Sequence, residues 1–130
     1  MSIRAVLFDL DNTLTHRGRS VAAFSQGLVD YYQSQLNCVD VEQIESIVNR
    51  IDNGGYPLKE YLTHPSIGAS VAYALLQELN WQVPPHLEEL SNFWFAQFGR
   101  SAVAMPEAEQ TLARLKQAGY KLAIISNGGH

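Results

Sequence analysis

Cysteine is nearly absent from this chain, positive charge is outnumbered, and long apolar runs do not occur. The one cysteine, Cys38, excludes an internal disulfide and a thiolate metal cluster, and is read as a small apolar filler or surface thiol of a reducing compartment. Nine Lys and Arg stand against 13 Asp and Glu, a net charge of −4. The basic patch that neutralises nucleic-acid phosphates therefore has no source, and no nucleic-acid partner is expected. No stretch approaches the ~18 unbroken apolar residues of a transmembrane helix, and the N-terminus runs into a strand pattern rather than a charged-then-apolar signal. No membrane partner is expected, and the cytoplasm is the expected location. Repeats and low-complexity segments are missing too. What is there is the composition of a globular chain: 130 residues, 46% hydrophobic and 17% charged.

The residues that organise the rest run from Val6 to Thr15, V-L-F-D-L-D-N-T-L-T. Ile3, Ala5, Val6, Leu7 and Phe8 form an apolar run broken only by Arg4, the pattern of a central strand covered on both faces by helices. Asp9 and Asp11 follow at its carboxyl end, where open α/β sheets place their ligands. Alternation along an extended backbone points both carboxylates the same way, with Leu10 turned inward.

Helical periodicity fills the middle of the chain. Thr15 to Ser20 reads as a polar connector carrying His16, Arg17 and Arg19, with Gly18 as its hinge. Ser20 caps a helix to about Leu36, and Asp40 opens a second, with Gln43 placed for a capping box and Ile44, Ile47, Val48 and Ile51 as its stripe. Gly54 and Gly55 stop that helix. Pro57 begins a short one through Leu62, ended by His64 to Ser66; others run from Gly68 to Leu79 and from Pro85 or His86 to Phe98. Helical spacing sends most of the aromatic residues into a bundle core. Lys59, an isolated cation on a connecting helix, is the one placed to reach over a site below. Four or five amphipathic helices in a row exceed one crossover and read as an inserted helical domain, 16–99. Then Pro106 begins a helix, Gly119 ends it, and Y-K-L-A-I-I-S forms a strand parallel to the first. Segments 1–15 and 100–130 make a partial α/β core.

F-D-L-D-N-T-L-T, Phe8 to Thr15, resembles the first motif, D-x-D-x-T, of the haloacid dehalogenase superfamily of phosphohydrolases. L-A-I-I-S-N-G, Leu122 to Gly128, resembles its second, a hydrophobic strand ending in Ser or Thr. The resemblance implies a partial Rossmann-like parallel sheet with an inserted all-α cap. It implies Asp9 as nucleophile and Mg²⁺ ligand, and Asp11 as acid/base with its main-chain carbonyl on the metal. Ser126 and the amides around Asn127 would bind the phosphoryl group, with Thr13 supporting the loop. Apart from the resemblance, the cations His16, Arg17 and Lys59 are candidates to meet the substrate, or else solvated surface residues. The substrate implied is a small phosphorylated metabolite, hydrolysed through an aspartyl-phosphate, with phosphomutase as near neighbour. Asp11 speaks against the dehalogenase branch, which needs no proton donor for its leaving group.

The residues support that chemistry on their own terms. Phosphoryl transfer needs a nucleophile, a proton donor for the leaving oxygen and positive charge to offset the crowded oxygens. Paired carboxylates supply the first two roles, and like charges so close favour a cation between them or a proton on one. The family's third and fourth motifs, a lysine and further acids for the metal, have no counterpart, since no lysine or acid follows Ser126. The expectation is therefore a truncated product of a longer phosphatase, or a catalytically silent fragment that oligomerises or binds. Without the insertion about 45 residues of core remain, near the ~40-residue size below which domains need a staple or partner. Its apolar strand edge invites pairing with a second copy or a domain swap.

Overall fold

Strand β1, Ala5–Phe8, lies parallel to strand β2, Lys121–Ile124, in the computed structural model, which describes residues 2–125. Ala5 is set against Lys121 and Phe8 against Ile124. The Ile125 amide extends the ladder by donating to the Phe8 carbonyl at 2.8 Å. Between the strands come α1 (Arg17–Tyr31), α2 (Val41–Asp52), α3 (Ile67–Glu78), α4 (Leu87–Gln97) and α5 (Ala108–Gln117). Single 3₁₀ turns stand at Asn53–Gly55, Lys59–Tyr61 and Gly99–Ser101. This is the α/β architecture the patterning implies, with a two-stranded parallel sheet among the described residues.

The well-buried core lies among the first four helices. Val21, Phe24 and Leu28 of α1 meet Ile44, Ile47, Val48 and Ile51 of α2, then Val71 and Leu75 of α3 and Leu90 and Trp94 of α4. Each α2 stripe residue is at most 4% exposed, and full burial of such a side chain contributes about 1.5–3 kcal/mol. Successive helices pack on one another. Aromatic contacts close the bundle from α1 back to α4: Phe24 meets Trp94 edge-on at 5.0 Å and Phe98 at 5.7 Å, and Trp94 stacks on Phe98 at 4.3 Å. Gly68 permits the α3–α4 approach, because a Cβ there would lie 2.4 Å from Trp94 Cδ1. Tyr32 is buried as expected, whereas Tyr31, Tyr56 and Phe95 are exposed.

Several local expectations are corrected. The connector is not a loop with a hinge at Gly18: α1 begins at Arg17, because His16 takes an extended backbone and its Nδ1 accepts the Arg19 amide at 3.0 Å. Ser20 therefore sits inside the first turn, where its hydroxyl accepts the Val103 amide at 2.9 Å. Helix α1 ends at Tyr31, not Leu36, since Gln35 to Asn37 pair instead with the loop at Asn80 to Val83. The capping box of α2 does not form; the Gln43 side chain reaches the Glu78 carbonyl on α3. Pro57 begins no helix, only Lys59–Tyr61 make a turn, and Ser66 opens α3 rather than closing what precedes it, accepting the Ala69 amide at 3.1 Å. Pro106 lies in a turn, and α5 starts at Ala108 after Glu107 in the left-handed region at φ 67°.

The largest departure concerns the sheet. Leu7 is 58% and Ile124 55% exposed, so β1 is not covered on both faces. Among the described residues α5 is the helix that packs on the sheet, against β2. The apolar run is that of a covered strand, while the cover on its second face has no source in residues 2–125.

Candidate active site

Beyond Phe8 the chain turns at once. The Leu10 carbonyl accepts the amides of Thr13, Leu14 and Thr15 at 3.3, 3.0 and 3.1 Å and the Thr15 hydroxyl at 3.2 Å. Asn12 makes the turn in the left-handed region at φ 57°, which Asn tolerates better than most side chains. Asp9 and Asp11 are thereby held at the carboxyl end of β1, level with that of β2. Asp9 is exposed, and Thr13 Oγ1 donates to its Oδ2 at 3.3 Å. The amides of Thr13, Leu14 and Thr15 go to Leu10 and that of Asn12 to the Thr15 carbonyl at 2.8 Å, so none of them is spent on the Asp11 carbonyl.

Asp11 meets a cation from the first turn of α1. Arg17 Nη1 lies 2.9 Å from Asp11 Oδ2, while its Nε and Nη2 donate to Asp52 Oδ2 and Oδ1 at 2.9 and 2.5 Å. The guanidinium also lies over the Phe98 ring, 4.9 Å from its centroid. Asp52 is fully buried at the end of α2 and accepts the Gly55 amide at 3.2 Å as well. Burial works against the Arg17 charge, but hydrogen bonding to Asp52 and the charges of Asp52 and Asp11 outweigh it, so its pKa lies above the usual arginine value. Such bidentate, charge-assisted pairing is the strong form of arginine recognition.

The strand-end loop is fastened to the returning chain beside this cluster. The His16 amide donates to the Val103 carbonyl and the Met105 amide to the Leu14 carbonyl, both at 2.7 Å, with Thr15 bridged to Ala104. Next to Asp11 and Arg17 opens a cavity of about 440 Å³, walled by the 54–55 turn, the 62–68 segment and α4. Structurally, then, Asp9 and Thr13 are brought together, and Asp11 and Arg17 are brought together. His16 is spent on capping α1. Lys59 is exposed on its 3₁₀ turn and is not among the residues lining the cavity. Ser126 and Asn127 lie outside the described residues.

Sequence reasoning missed Asp52. Its signal was available: it stands four residues after Val48 on the apolar stripe of α2, where a carboxylate is buried only with a partner. Periodicity marks the position as anomalous but does not say which cation answers it, 35 residues away.

A family model described as haloacid dehalogenase-like hydrolase matches residues 3–130. The chain belongs to that family. No curated protein matches it. Among solved structures, one described as a dehalogenase is 24% identical with a TM-score of 0.56, over 98% of this chain and 53% of that one. A second, described as a predicted phosphoglycolate phosphatase from Haemophilus somnus 129PT, is 17% identical with a TM-score of 0.43, over 98% of this chain and 52% of that one. The first likeness agrees with the fold, and the chain spans about half the length of either structure. As a haloacid dehalogenase-like hydrolase, the chain is assigned to an enzyme family. Among the described residues no helix is long and apolar enough to cross a membrane.

Proposed function

We propose that this hydrolase acts on phosphomonoesters through an aspartyl-phosphate at Asp9, with Mg²⁺ as cofactor. The observation that carries the reading is the pair Asp9 and Asp11 at the carboxyl end of a parallel strand, with Thr13 on the first and Arg17 on the second. An ionised Asp9 oxygen attacks phosphorus as the bond to the leaving oxygen breaks, and Asp11 delivers a proton to that oxygen. Asp11 then takes a proton from water, which attacks the acyl phosphate, releasing inorganic phosphate and restoring the Asp9 carboxylate. Ser126 and the amides around Asn127 are proposed to hold the phosphoryl oxygens, and residues 16–99 are proposed as a cap that excludes water over the reaction.

The donors near Asp9 suit a hard cation in part. Mg²⁺ takes oxygen ligands, commonly one or two carboxylates with several waters. The Asp9 carboxylate and the Asp11 main-chain carbonyl would hold it, and it would supply positive charge to the phosphoryl oxygens. A cluster of three or more His, Cys, Asp or Glu placed for a metal does not occur among the described residues.

Turnover of an aryl phosphate with and without Mg²⁺, on this chain and on Asp9→Asn, tests the reading. Metal-dependent turnover abolished in Asp9→Asn is expected. Equal background in both would favour the second reading, a chain that is catalytically silent and serves by binding or self-association through the exposed apolar residues in and beside its sheet, Ile3, Leu7, Ile124 and Ile125. A phosphomutase would instead return the phosphoryl group to a sugar hydroxyl rather than to water.

A further inference from the structure

The cavity beside Asp11 has a charge pattern of its own. Its walls include Leu62, Pro65, Ile67, Trp94, Phe95 and Phe98, with glycine backbone at Gly55, Gly68 and Gly99. The one other polar wall residue, Ser66, has its hydroxyl committed to the Ala69 amide at the start of α3. Among the described residues the only charged side chains lining it are Asp11 and Arg17.

Arg17 is not free to receive an anion. Two of its nitrogens are held by Asp52 and the third by Asp11, and one face covers Phe98. Its charge is already balanced by the fully buried Asp52, and each of its three nitrogens is engaged. A second anion entering the cavity must displace Asp11 from Arg17 or shed its water against a mostly apolar wall; an uncharged apolar group needs neither. Its volume of about 440 Å³ accepts a six-membered ring with its substituents. Small-molecule sites of such a kind are mostly apolar with a few placed polar groups.

We propose that this cavity receives the leaving group of the substrate, and that the leaving group is an uncharged, largely apolar alcohol, aromatic or branched, rather than one carrying a second anion. This rests on the phosphatase reading above, in which the Asp11 proton goes to the leaving oxygen as the phosphorus bond to Asp9 forms. The alcohol so released lies where Asp11 borders the cavity, with its carbon body against Trp94, Phe95 and Phe98.

The test is binding, so that it stands apart from turnover. The ¹⁵N-labelled 130-residue chain has two indole N–H signals, from Trp81 and Trp94, told apart with Trp81→Phe. Benzyl alcohol and glycolate are titrated separately. The Trp94 signal is expected to shift and saturate with benzyl alcohol while the Trp81 signal stays still, and glycolate is expected to bind at least tenfold more weakly. Phe95→Glu places a carboxylate on the wall at a residue already 53% exposed, so the bundle core does not depend on it. That variant should weaken benzyl alcohol at least tenfold. Glycolate binding as tightly, no Trp94 shift in a folded chain, equal shifts of both indoles, or an unaffected Phe95→Glu would each overturn the proposal. Failure of Asp9→Asn to abolish turnover would instead overturn the phosphatase reading and leave the binding result intact.

Discussion

Asp52→Ala removes a carboxylate that is 0% exposed and leaves the Arg17 guanidinium, 14% exposed, without its bidentate partner. Two charge-assisted hydrogen bonds, at 2.9 and 2.5 Å, and the 3.2 Å bond from the Gly55 amide go with it. Removing one partner of a buried ion pair costs about 3–5 kcal/mol, because the other charge stays behind without compensation. Against a total stability of about 5–15 kcal/mol for a domain, that is a large share. At roughly 3–5 °C per kcal/mol for a chain of such a size, the midpoint should fall by roughly 10–20 °C. Asp52→Asn keeps the shape and one acceptor for Arg17 and should fall between Asp52→Ala and the parent. Replacing both partners, Arg17→Met with Asp52→Leu, removes the pair together with its desolvation penalty, so the double variant should lie within about 2 kcal/mol of the parent. Thermal unfolding followed by circular dichroism gives the midpoints, and urea unfolding the free energies, of the parent, these three variants and the single variants Arg17→Met and Asp52→Leu. Strict additivity of Arg17→Met and Asp52→Leu, or an Asp52→Ala loss below about 1 kcal/mol, would refute the claim that this pair joins α1 to the end of α2.

Asp11→Asn should cost at most about 1 kcal/mol in the same unfolding assay, since Asp11 is 32% exposed and makes a single contact to Arg17. Gly68→Ala should destabilise by about 1–3 kcal/mol despite its better helix propensity, because its methyl would meet the buried Trp94 ring 2.4 Å away; a gain in urea midpoint would count against the packing described. Burial, then the charges of Glu89 and Tyr31, push the Tyr32 hydroxyl up to about 12 from 10.0. A raised folded value means the stabilisation is whole below pH 10 and is lost as pH rises through about 12, because the unfolded chain ionises first. Unfolding free energies between pH 9 and 12 should therefore fall more steeply in the parent than in Tyr32→Phe. Because that hydroxyl has no hydrogen-bond partner among the described residues, Tyr32→Phe should also be no less stable than the parent near neutral pH.

The parts legible from sequence are those in which one stretch of chain dictates its own structure. The stripe Ile44, Ile47, Val48 and Ile51 can be buried together only on one face of a helix, and it is. Gly119, at φ 91°, ends α5 where an L side chain would be strained, and the strand after it pairs in parallel with β1 as the crossover pattern implied. Helix ends were less legible, because capping is a choice among neighbours: His16 and Ser20 can each accept an amide, and the contacts of both to Val103 fix where α1 begins, as the Asn37–Asn80 contact fixes where it has ended. The strand run of β1 misled about burial because hydrophobicity states what a strand requires, not whether residues 2–125 supply it. The Arg17–Asp52 pair was out of reach for a different reason. Each residue has an ordinary local explanation, and only the fold puts them 2.5 Å apart.

The same arginine joins the helices to the acid at the strand end. Arg17 is attached on one side by two bonds to a fully buried carboxylate and on the other by one contact to a half-buried one. The two attachments differ in strength by several kcal/mol on the ordinary scale of buried against exposed pairs. Any displacement of the bundle from the strand-end loop therefore parts Arg17 from Asp11 before it parts Arg17 from Asp52, and the arginine travels with the helices. Asp11 is then the member of the cluster whose charge partner depends on where the bundle stands. In the proposed reaction Asp11 both gives up and takes back a proton, and for a carboxylate in that role such a removable partner has a chemical consequence.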